Sequence, residues 1–391
     1  MHTDGGLDGF DCQTCGTTLA PEDVETTCPE CGDPVTPVFD ADALTDVVAA
    51  ETDNATGIDR FAPALGFDPD AGLVSLGAGG KTVIDAPSLA AELGVDRVRI
   101  ADEGRNPTGS AVDRELAVAV SVAAERDAEQ IILPSTGNAA RSAAAYAGRA
   151  DLESLSYVPS RTPFVEKAMT NVHGGELSVV EGRYRDAAAA YDDADTDGFP
   201  VGPASPFRQL GAATLALDLF GQDGSSPDAI VLPVGHGTRL AGFFAGLQAL
   251  EAAGRIDAVP QLYAAQPAGC APIVTAYQNG GEVETWETPD SVIGPLEIPD
   301  PAVGSRALDA LAASDGGAVA VTDDDALAAA VDANAATGVE VSATGGVALA
   351  GAHELAERGK IEAGASVLVV DPLAVAAESD ILRSQLMSRG I

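Results

Sequence analysis

The sequence contains little lysine. Only three of its 21 basic residues are lysines, Lys81, Lys167 and Lys360, whereas 60 residues are acidic, which gives a formal net charge of −39. Nucleic-acid binding is therefore not expected, because contacts with phosphate backbones need a basic surface. The acidic residues are scattered along the chain rather than gathered in a tail. This predicts a solvated anionic surface of the kind that keeps a halophilic protein soluble in concentrated salt.

Long apolar runs are missing as well. No stretch approaches the ~18 consecutive apolar residues of a membrane-spanning helix, and the first residues lack the basic and then apolar order of a secretory signal. We therefore expect a cytoplasmic protein without a membrane partner. The chain has 391 residues, of which 46% are hydrophobic, so it is long enough to bury the cores of about two to three domains.

Cysteine is rare, but four of the five cysteines form a pattern. Two C-x2-C pairs are separated by twelve residues, and their cysteines are Cys12, Cys15, Cys28 and Cys31. Two such pairs supply the four thiolates of a tetrahedral zinc ion. We predict a structural zinc ribbon, since four protein ligands leave no open coordination position for catalysis. Disulfide bonding is the alternative, which a cytoplasmic protein seldom keeps. The fifth cysteine, Cys270, is interpreted as a core or loop residue.

Beyond about residue 40, short aliphatic runs alternate with alanine-rich stretches. The aliphatic runs predict buried strands at residues 97–101, 130–133, 229–234 and 366–370. The alanine-rich stretches predict helices at residues 112–128, 139–150, 208–220 and 240–254. This alternation is typical of an α/β fold with mainly parallel sheets covered by helices. Two segments rich in Pro or Gly are interpreted as connections, 193–203 between two lobes and 284–301 further on.

Two strand-to-helix turns carry residues suited to an anion. In the first, Ser135 to Asn138, free N–H groups form either a small anion site or a capped helix start. In the second, Gly235-His236-Gly237-Thr238, successive N–H groups converge on a phosphate and the threonine adds a donor. His236 and Arg239 add positive or donating groups there. A tight turn with a capping threonine is the alternative.

A third turn resembles a known motif. Residues 106–110, Asn-Pro-Thr-Gly-Ser, are followed by Asp113 and Arg114. They resemble the cofactor-lysine motif of threonine synthases, which are fold-type II pyridoxal-phosphate enzymes. Val112 stands at the position of the lysine, and Ala111 at that of the preceding phenylalanine. The resemblance covers essentially the whole chain, because the four-cysteine ribbon is also similar to one carried by archaeal members of the family.

The resemblance implies a role for particular residues. Those implied to hold pyridoxal phosphate, at its phenolic oxygen, its phosphate and its pyridine nitrogen, are in chain order Asn138, Gly235, His236, Gly237, Thr238 and Thr344. Those assigned to the substrate are Ser135, Thr136, Arg208 and Arg239. Arg208 belongs to a Ser-Pro-Phe-Arg stretch similar to the family's Asn-Pro-aromatic-Arg, whose arginine contacts the substrate phosphate.

The same resemblance implies an architecture. It predicts the fold-type II arrangement of two α/β lobes with mainly parallel sheets, preceded by the ribbon. We assign residues 1–40 to the zinc ribbon, 41–105 and 213–391 to the large lobe, and 106–212 to the small lobe. A homodimer is implied too, since relatives commonly form one.

The predicted function depends on the missing amine. The family's reaction begins with a Schiff base between a lysine and the cofactor aldehyde, and the same amine then moves protons at the substrate carbons. Valine does neither, so threonine synthesis from phosphohomoserine is not expected. The favoured hypothesis is a pseudoenzyme that binds pyridoxal phosphate, or another small anion such as an amino-acid phosphate, without a covalent bond. A protein that has lost the cofactor altogether belongs to the same hypothesis.

The alternative is an active pyridoxal-phosphate-dependent lyase that acts on a phosphorylated amino acid through a relocated lysine. Lys81 is the candidate for this catalytic amine, because it follows Gly79 and Gly80 in a loop that lies near the substrate in relatives. Electrostatic binding of an anion and plain surface exposure are the competing roles for Lys81.

Overall fold

A computed structural model describes residues 1, 5–49, 57–68, 72–80, 82–222, 226–388 and 390 of the chain. Lys81, the candidate for a relocated amine, lies outside the described residues. No helix in the described part of the chain is both long enough and apolar enough to cross a membrane.

Strands and helices alternate along most of the described chain. The strands are β1 (Leu7–Asp11), β2 (Thr18–Leu19), β3 (Thr36–Phe39), β4 (Val83–Asp85), β5 (Arg97–Asp102), β6 (Gln130–Pro134), β7 (Glu153–Pro159), β8 (Glu176–Val180), β9 (Phe199–Pro200), β10 (Ala229–Pro233), β11 (Gln261–Pro267), β12 (Gly317–Val321) and β13 (Ser366–Asp371). The helices are α1 (Ala41–Ala49), α2 (Pro87–Leu93), α3 (Val112–Glu125), α4 (Asn138–Arg149), α5 (Phe164–Val172), α6 (Tyr184–Asp192), α7 (Pro206–Phe220), α8 (Thr238–Ala252), α9 (Pro272–Asn279), α10 (Gly304–Ala313), α11 (Asp323–Thr337), α12 (Ala343–Glu357) and α13 (Val375–Ser388).

The described strands form three sheets. The N-terminal sheet has the order β2-β1-β3 and is antiparallel. A six-stranded sheet has the order β12-β11-β10-β13-β5-β4, and all its neighbours are parallel except β4 and β5. A four-stranded sheet, β8-β7-β6-β9, is parallel throughout. The predicted α/β class with mainly parallel sheets is therefore confirmed.

Helix α7 forms the centre of the helical packing. Each of its residues is buried, so it has none of the polar stripe expected of a helix at a surface. Glycines let its neighbours approach closely: a Cβ at Gly211 would lie 2.4 Å from the carbonyl oxygen of Arg114 in α3, and one at Gly242 in α8 would lie 2.1 Å from that of Gln209. The close crossings of α3, α7 and α8 thus depend on positions without side chains.

The four predicted strands and the four predicted helices are all present, with ends that differ by a few residues. One interpretation needs correction. The predicted connection 193–203 contains the short strand β9, which pairs with β6 through Ile131 and Phe199. Phe199 is buried there, and the two strand residues, Phe199 and Pro200, are too few to show a pattern of alternation.

Candidate functional site

A cleft lies beyond the carboxyl ends of β6, β10 and β13, which is the edge where ligands bind in open parallel sheets. It encloses about 740 Å³, including part of its open mouth. The residues predicted from the sequence that line it are Ser135, Thr136, Asn138, Arg208, Gly235, His236, Gly237, Thr238, Arg239 and Thr344. The structure thus brings together all the predicted cofactor and substrate residues except Lys81, which is not described. Their individual roles stay predictions.

The glycine-rich turn connects β10 to α8. Gly237 has φ +85°, and a Cβ there would lie 2.7 Å from the carbonyl oxygen of Val303, so this position requires glycine. The turn presents the first N–H groups of α8 to the cleft, which favours an anion. The Thr238 hydroxyl donates to the carbonyl oxygen of Pro203 at 2.7 Å, so its proton is engaged within the protein.

His236 is buried in this turn. Its ring packs edge-on against Tyr184, with 5.0 Å between ring centroids, and its Nδ1 accepts a hydrogen bond from the N–H of Ala302. Burial, together with the positive charge of Arg208, lowers the pKa of His236 to about 3. The ring is therefore neutral, which favours the donating one of the two expected roles, positive or donating, at this position. Its Nε2 remains available as a donor.

The turn after β6 combines a cap with a cleft contact. The Ser135 hydroxyl accepts hydrogen bonds from the N–H groups of Gly137 and Ala140, each at 3.0 Å, so Ser135 caps the start of α4. The Asn138 amide donates to the Ser110 hydroxyl at 3.3 Å. This bond connects the turn to the segment 106–110 that carries the resemblance.

Val112 forms part of the cleft wall. It is the first residue of α3, it is 4% exposed and it lines the cavity together with Asn138 and Thr344. Its hydrocarbon side chain offers neither a nucleophile nor a proton carrier.

The two charged residues after Val112 serve the interior of the protein. The Asp113 carboxylate accepts hydrogen bonds from Thr108 and Ser142. The Arg114 guanidinium is 2% exposed and pairs with Glu103 and Asp218. These contacts fix the start of α3 to its surroundings. Asp113 and Arg114, which match the motif, thus have a structural role in the interior of the protein.

Glu115 is a cleft residue that the sequence reasoning missed. Its carboxylate pairs with both Arg208 and Arg239, at 2.6 Å and 2.8 Å, and it lines the same cavity. The available signal was its position three residues after Val112, because residues three apart on a helix share a face.

Two buried carboxyl groups lie behind Thr344. The Thr344 hydroxyl and N–H both donate to Glu378, at 2.7 Å and 2.8 Å. Asp371, at the end of β13, accepts hydrogen bonds from the hydroxyl and N–H of Ser342. Burial raises the pKa of Asp371 to about 8 and raises that of Glu378 as well. Because the Thr344 proton is held by Glu378, the hydroxyl presents an acceptor to the cleft.

No described lysine lines the cleft. The Lys167 ammonium donates to the carbonyl oxygen of Ser160 at 2.8 Å, and Lys360 is exposed in the turn that follows α12.

The four N-terminal cysteines form a cluster in which all sulfur atoms lie within 4.8 Å of one another. All are free thiols, as is Cys270, which is buried. The disulfide alternative is thus absent from the structure. Zn–S bonds of about 2.3 Å in a tetrahedron place sulfur atoms ~3.8 Å apart, and the distances Cys12–Cys31 and Cys15–Cys28 are 3.4 Å and 3.6 Å. The cluster therefore fits a zinc ion.

A family model described as "Pyridoxal-phosphate dependent enzyme" matches residues 74–372. The chain belongs to this family. It is similar to a threonine synthase of Methanocaldococcus jannaschii, with 28% identity over 78% of this chain and 77% of the relative. It is also similar to a threonine synthase of Bacillus sp. strain ULM1, with 30% identity over 76% of this chain and 83% of the relative. The family resemblance inferred from the motifs is confirmed.

Solved structures of the family show the same fold. A fungal L-serine ammonia-lyase from Rhizomucor miehei superposes with a TM-score of 0.68, at 22% identity, over 79% of this chain and 98% of that one. A threonine deaminase from Solanum lycopersicum superposes with a TM-score of 0.67, at 19% identity, over 79% and 83% of the two chains. The fold-type II architecture is therefore confirmed.

The cleft fits one part of the family's cofactor and not another. The glycine-rich turn at the start of α8 and the arginines Arg208 and Arg239 suit a phosphate group. Asn138 and Thr344 add polar groups to the same cavity. The described lining holds no amine for the aldehyde, since Val112 is a hydrocarbon. The described lining thus offers groups for the cofactor's phosphate and ring, whereas Lys81 lies outside the described residues.

Proposed function

We propose that this threonine-synthase-like protein binds pyridoxal phosphate, or another phosphate-bearing small molecule, without a covalent bond, and that it does not make threonine from phosphohomoserine. The observation that carries the proposal is Val112, a buried hydrocarbon in the wall of the cleft where the motif resemblance places the reactive lysine. Removing an amine that forms a bond and moves protons abolishes those steps, whereas losing one auxiliary hydrogen bond costs only a few kcal/mol.

The phosphate-binding half of the cleft supports retained binding. The turn from Gly235 to Thr238 directs the start of α8 at the cavity, and backbone N–H groups at a helix start bind phosphate without any lysine. Arg208 and Arg239 add positive charge in a chain whose net charge is strongly negative. A small anion is thus the ligand class that this cleft fits.

The second candidate function is the active lyase with Lys81 as the relocated amine, acting on a phosphorylated amino acid. One observation favours it. The residues just before Lys81 are anchored near the motif: the Gly79 N–H donates to the Asn106 side chain at 2.7 Å, and the Gly80 N–H donates to Asp218 at 3.0 Å. Asn106 lies six residues before the cleft residue Val112.

Absorbance spectra of the protein with pyridoxal phosphate, recorded before and after borohydride treatment, separate the two candidate functions. Purified protein is incubated with pyridoxal phosphate, freed of excess cofactor, and treated with borohydride, and any adduct is mapped by peptide mass spectrometry. We expect the protein to bind the cofactor. After borohydride treatment, dialysis should remove all of it, and no covalent adduct should remain on any residue of the cleft. The variant Val112→Lys restores an amine at the cleft wall, and we expect it to give a borohydride-stable adduct at position 112.

Three results would contradict the proposal. A reduced adduct at Lys81 of the unchanged protein, lost in Lys81→Met, would establish the active lyase instead. Threonine production from phosphohomoserine by the purified chain would also overturn it. Failure of pyridoxal phosphate, inorganic phosphate and pyridoxine phosphate to bind would remove the binding function. The variant Lys167→Met serves as the matched control, because the Lys167 side chain is engaged with Ser160.

We also propose that Cys12, Cys15, Cys28 and Cys31 hold one structural zinc ion. The geometry of the four sulfur atoms supports this, and closed four-thiolate sites organise small ribbons of this kind. The division into a ribbon, a large lobe and a small lobe belongs to the same proposal, and it is supported by the presence of three separate sheets.

A further inference from the structure

Glu115 divides one carboxylate between two arginines of the cleft. One of its oxygens accepts from Nε and Nη2 of Arg208, at 3.0 Å and 2.6 Å, and the other accepts from Nη2 of Arg239 at 2.8 Å. The side chains of Glu115, Arg208 and Arg239 are 2%, 7% and 19% exposed. These three residues, named the cleft triad below, are therefore largely withdrawn from water.

The cleft triad is not neutral. Two guanidinium groups share one carboxylate, which leaves a formal charge of +1 beside the glycine-rich turn. Glu115 engages Nε and Nη2 of Arg208 and Nη2 of Arg239, so it does not use Nη1 of either guanidinium. Each guanidinium therefore keeps donors that a ligand in the cleft can use.

Another buried cluster shows what a purely structural arrangement looks like here. Arg114 is paired with two carboxylates, Glu103 and Asp218, and Arg60 also pairs with Asp218. That cluster carries as many negative as positive charges and its members do not line the cleft. The cleft triad differs in both respects, since its excess charge is positive and faces a cavity.

We propose that Glu115 sets the charge selectivity of the cleft by competing, as an internal carboxylate, with anionic ligands for Arg208 and Arg239. Its presence lowers the affinity for a doubly charged phosphate more than the affinity for a singly charged carboxylate. The proposal deepens the proposed function and rests on it for the position of the anion.

The physical reason is Coulombic. Interactions between charges are weakly screened in a buried site, so a fixed negative charge beside an incoming anion costs more than it does at a surface. A phosphate with two charges next to the triad gives a local sum of −1, whereas without the charge of Glu115 the sum is zero. The carboxylate also keeps two adjacent guanidinium groups from repelling each other when no ligand is bound.

The test compares four proteins whose triad charge differs. The variant Arg239→Gln has a triad charge of 0, the unchanged protein +1, Glu115→Gln +2, and the double variant Glu115→Gln with Arg239→Gln +1. Dissociation constants for inorganic phosphate and for acetate are measured by calorimetric titration at constant ionic strength. We expect Glu115→Gln to bind phosphate about tenfold more tightly than the unchanged protein, with a smaller gain for acetate, and the double variant to lose most of that gain.

The matched control is Glu103→Gln, which neutralises a buried, arginine-paired carboxylate outside the cleft. We expect its phosphate affinity to equal that of the unchanged protein. Thermal denaturation gives a second measurement: phosphate should raise the melting temperature of Glu115→Gln more than that of the unchanged protein, because a ligand stabilises the state that it binds.

Equal or weaker phosphate binding by Glu115→Gln would overturn the inference and leave Glu115 as a residue that only positions the arginines. Absence of phosphate binding in all four proteins would overturn it too. The proposed function fails separately. If pyridoxal phosphate binds the unchanged protein while Glu115→Gln shows no gain for phosphate, only the inference is lost. If Glu115→Gln gains phosphate affinity while the unchanged protein forms a reduced adduct at Lys81 or makes threonine from phosphohomoserine, only the proposed function is lost.

Discussion

At the scale of the residue, Asp371 is a carboxyl group that folding holds in an unfavourable place for its charge. It lies at the end of β13 and is fully buried. Burial raises its pKa to about 8, the hydrogen bonds from Ser342 oppose this, and the nearby carboxyl groups of Asp102 and Glu378 add to it. A group whose pKa is higher in the folded state than in the unfolded state binds its proton more tightly when the protein is folded.

The contribution of Asp371 to the free energy of unfolding should therefore fall as the pH rises from about 4, where unfolded Asp titrates, through about 8. In that interval the folded state holds more protons than the unfolded state, so each step upward in pH favours unfolding. The variant Asp371→Asn should reduce this slope. Urea unfolding at pH 5, 6, 7 and 8 measures it. If the free energy of unfolding depends on pH in the same way in both proteins, Asp371 does not retain its proton. Asp228→Asn, an exposed group whose pKa Ser366 lowers, is the comparison variant.

Residue types and spacing predicted the cleft well where a turn carries the signal. Gly235, Gly237 and Asn138 follow aliphatic strands, and parallel strands bring such turns to one edge. Glu115 could not be recognised in this way, because its partners Arg208 and Arg239 are 93 and 124 residues away in sequence. Whether His236 contributes a positive charge or only a donor could not be decided from the sequence, because the burial that lowers its pKa is a property of the fold.

At the scale of the element, the N-terminal ribbon is held to the remainder of the protein by polar contacts. Arg306 of α10 donates to the side chains of Gln13 and Thr14, at 2.9 Å each. Arg126, the residue after α3, donates to the backbone carbonyl groups of Pro21 and Val24. Gln13 and Thr14 lie within the first cysteine turn, and Pro21 and Val24 lie in the segment that joins the two turns, so the turns have to keep their shape for these contacts to persist.

Zinc removal should therefore loosen the ribbon and leave the two larger sheets intact. We expect about one zinc ion per chain under reducing conditions and none in Cys28→Ser, since loss of one thiolate opens the site. Metal analysis together with hydrogen exchange tests this, and faster exchange should be confined to β1, β2 and β3. Cys270→Ser is the control and should keep its zinc. A metal-free unchanged protein, or equal exchange in both variants, would contradict the prediction.

The elements with the strongest patterns were the ones that could be predicted. Runs of three or four aliphatic residues predicted β6, β10 and β13, Val98 and Ile100 indicated β5, and alanine-rich stretches predicted α3, α4, α7 and α8. β4 and β9 have three and two residues, which is too short for an alternating or continuous apolar pattern. Their pairing is decided by the neighbouring strand, which sequence alone does not identify.

At the scale of the whole molecule, partly buried ion pairs join the loop before α10 to segments next to the four-stranded sheet. Glu297, in the loop before α10, pairs with Arg161 after β7 and with Arg183 before α6. Glu297 is 5% exposed, whereas the two arginines are 45% and 39% exposed. Arg161 and Glu297 line a second cavity, which shares Thr136 and Tyr184 with the cleft. The ion pairs are a local attraction in a molecule dominated by negative charge.

The net charge of −39 makes a prediction for the stability of the entire chain. Like charges spread over one surface repel each other in the folded state more than in the expanded unfolded state. Raising KCl from 0.1 M to 1 M shortens the screening length from about 10 Å to about 3 Å. The melting temperature should therefore rise by several degrees, even though exposed pairs such as Arg97 with Asp85 become weaker. Thermal denaturation at graded KCl concentrations measures the effect.

A triple variant, Asp193→Asn with Asp195→Asn and Asp197→Asn, removes three exposed charges. It should melt at a higher temperature than the unchanged protein in 0.1 M KCl, and this difference should shrink at 1 M. A melting temperature that is constant or falls with KCl would mean that self-repulsion does not limit the stability of this protein.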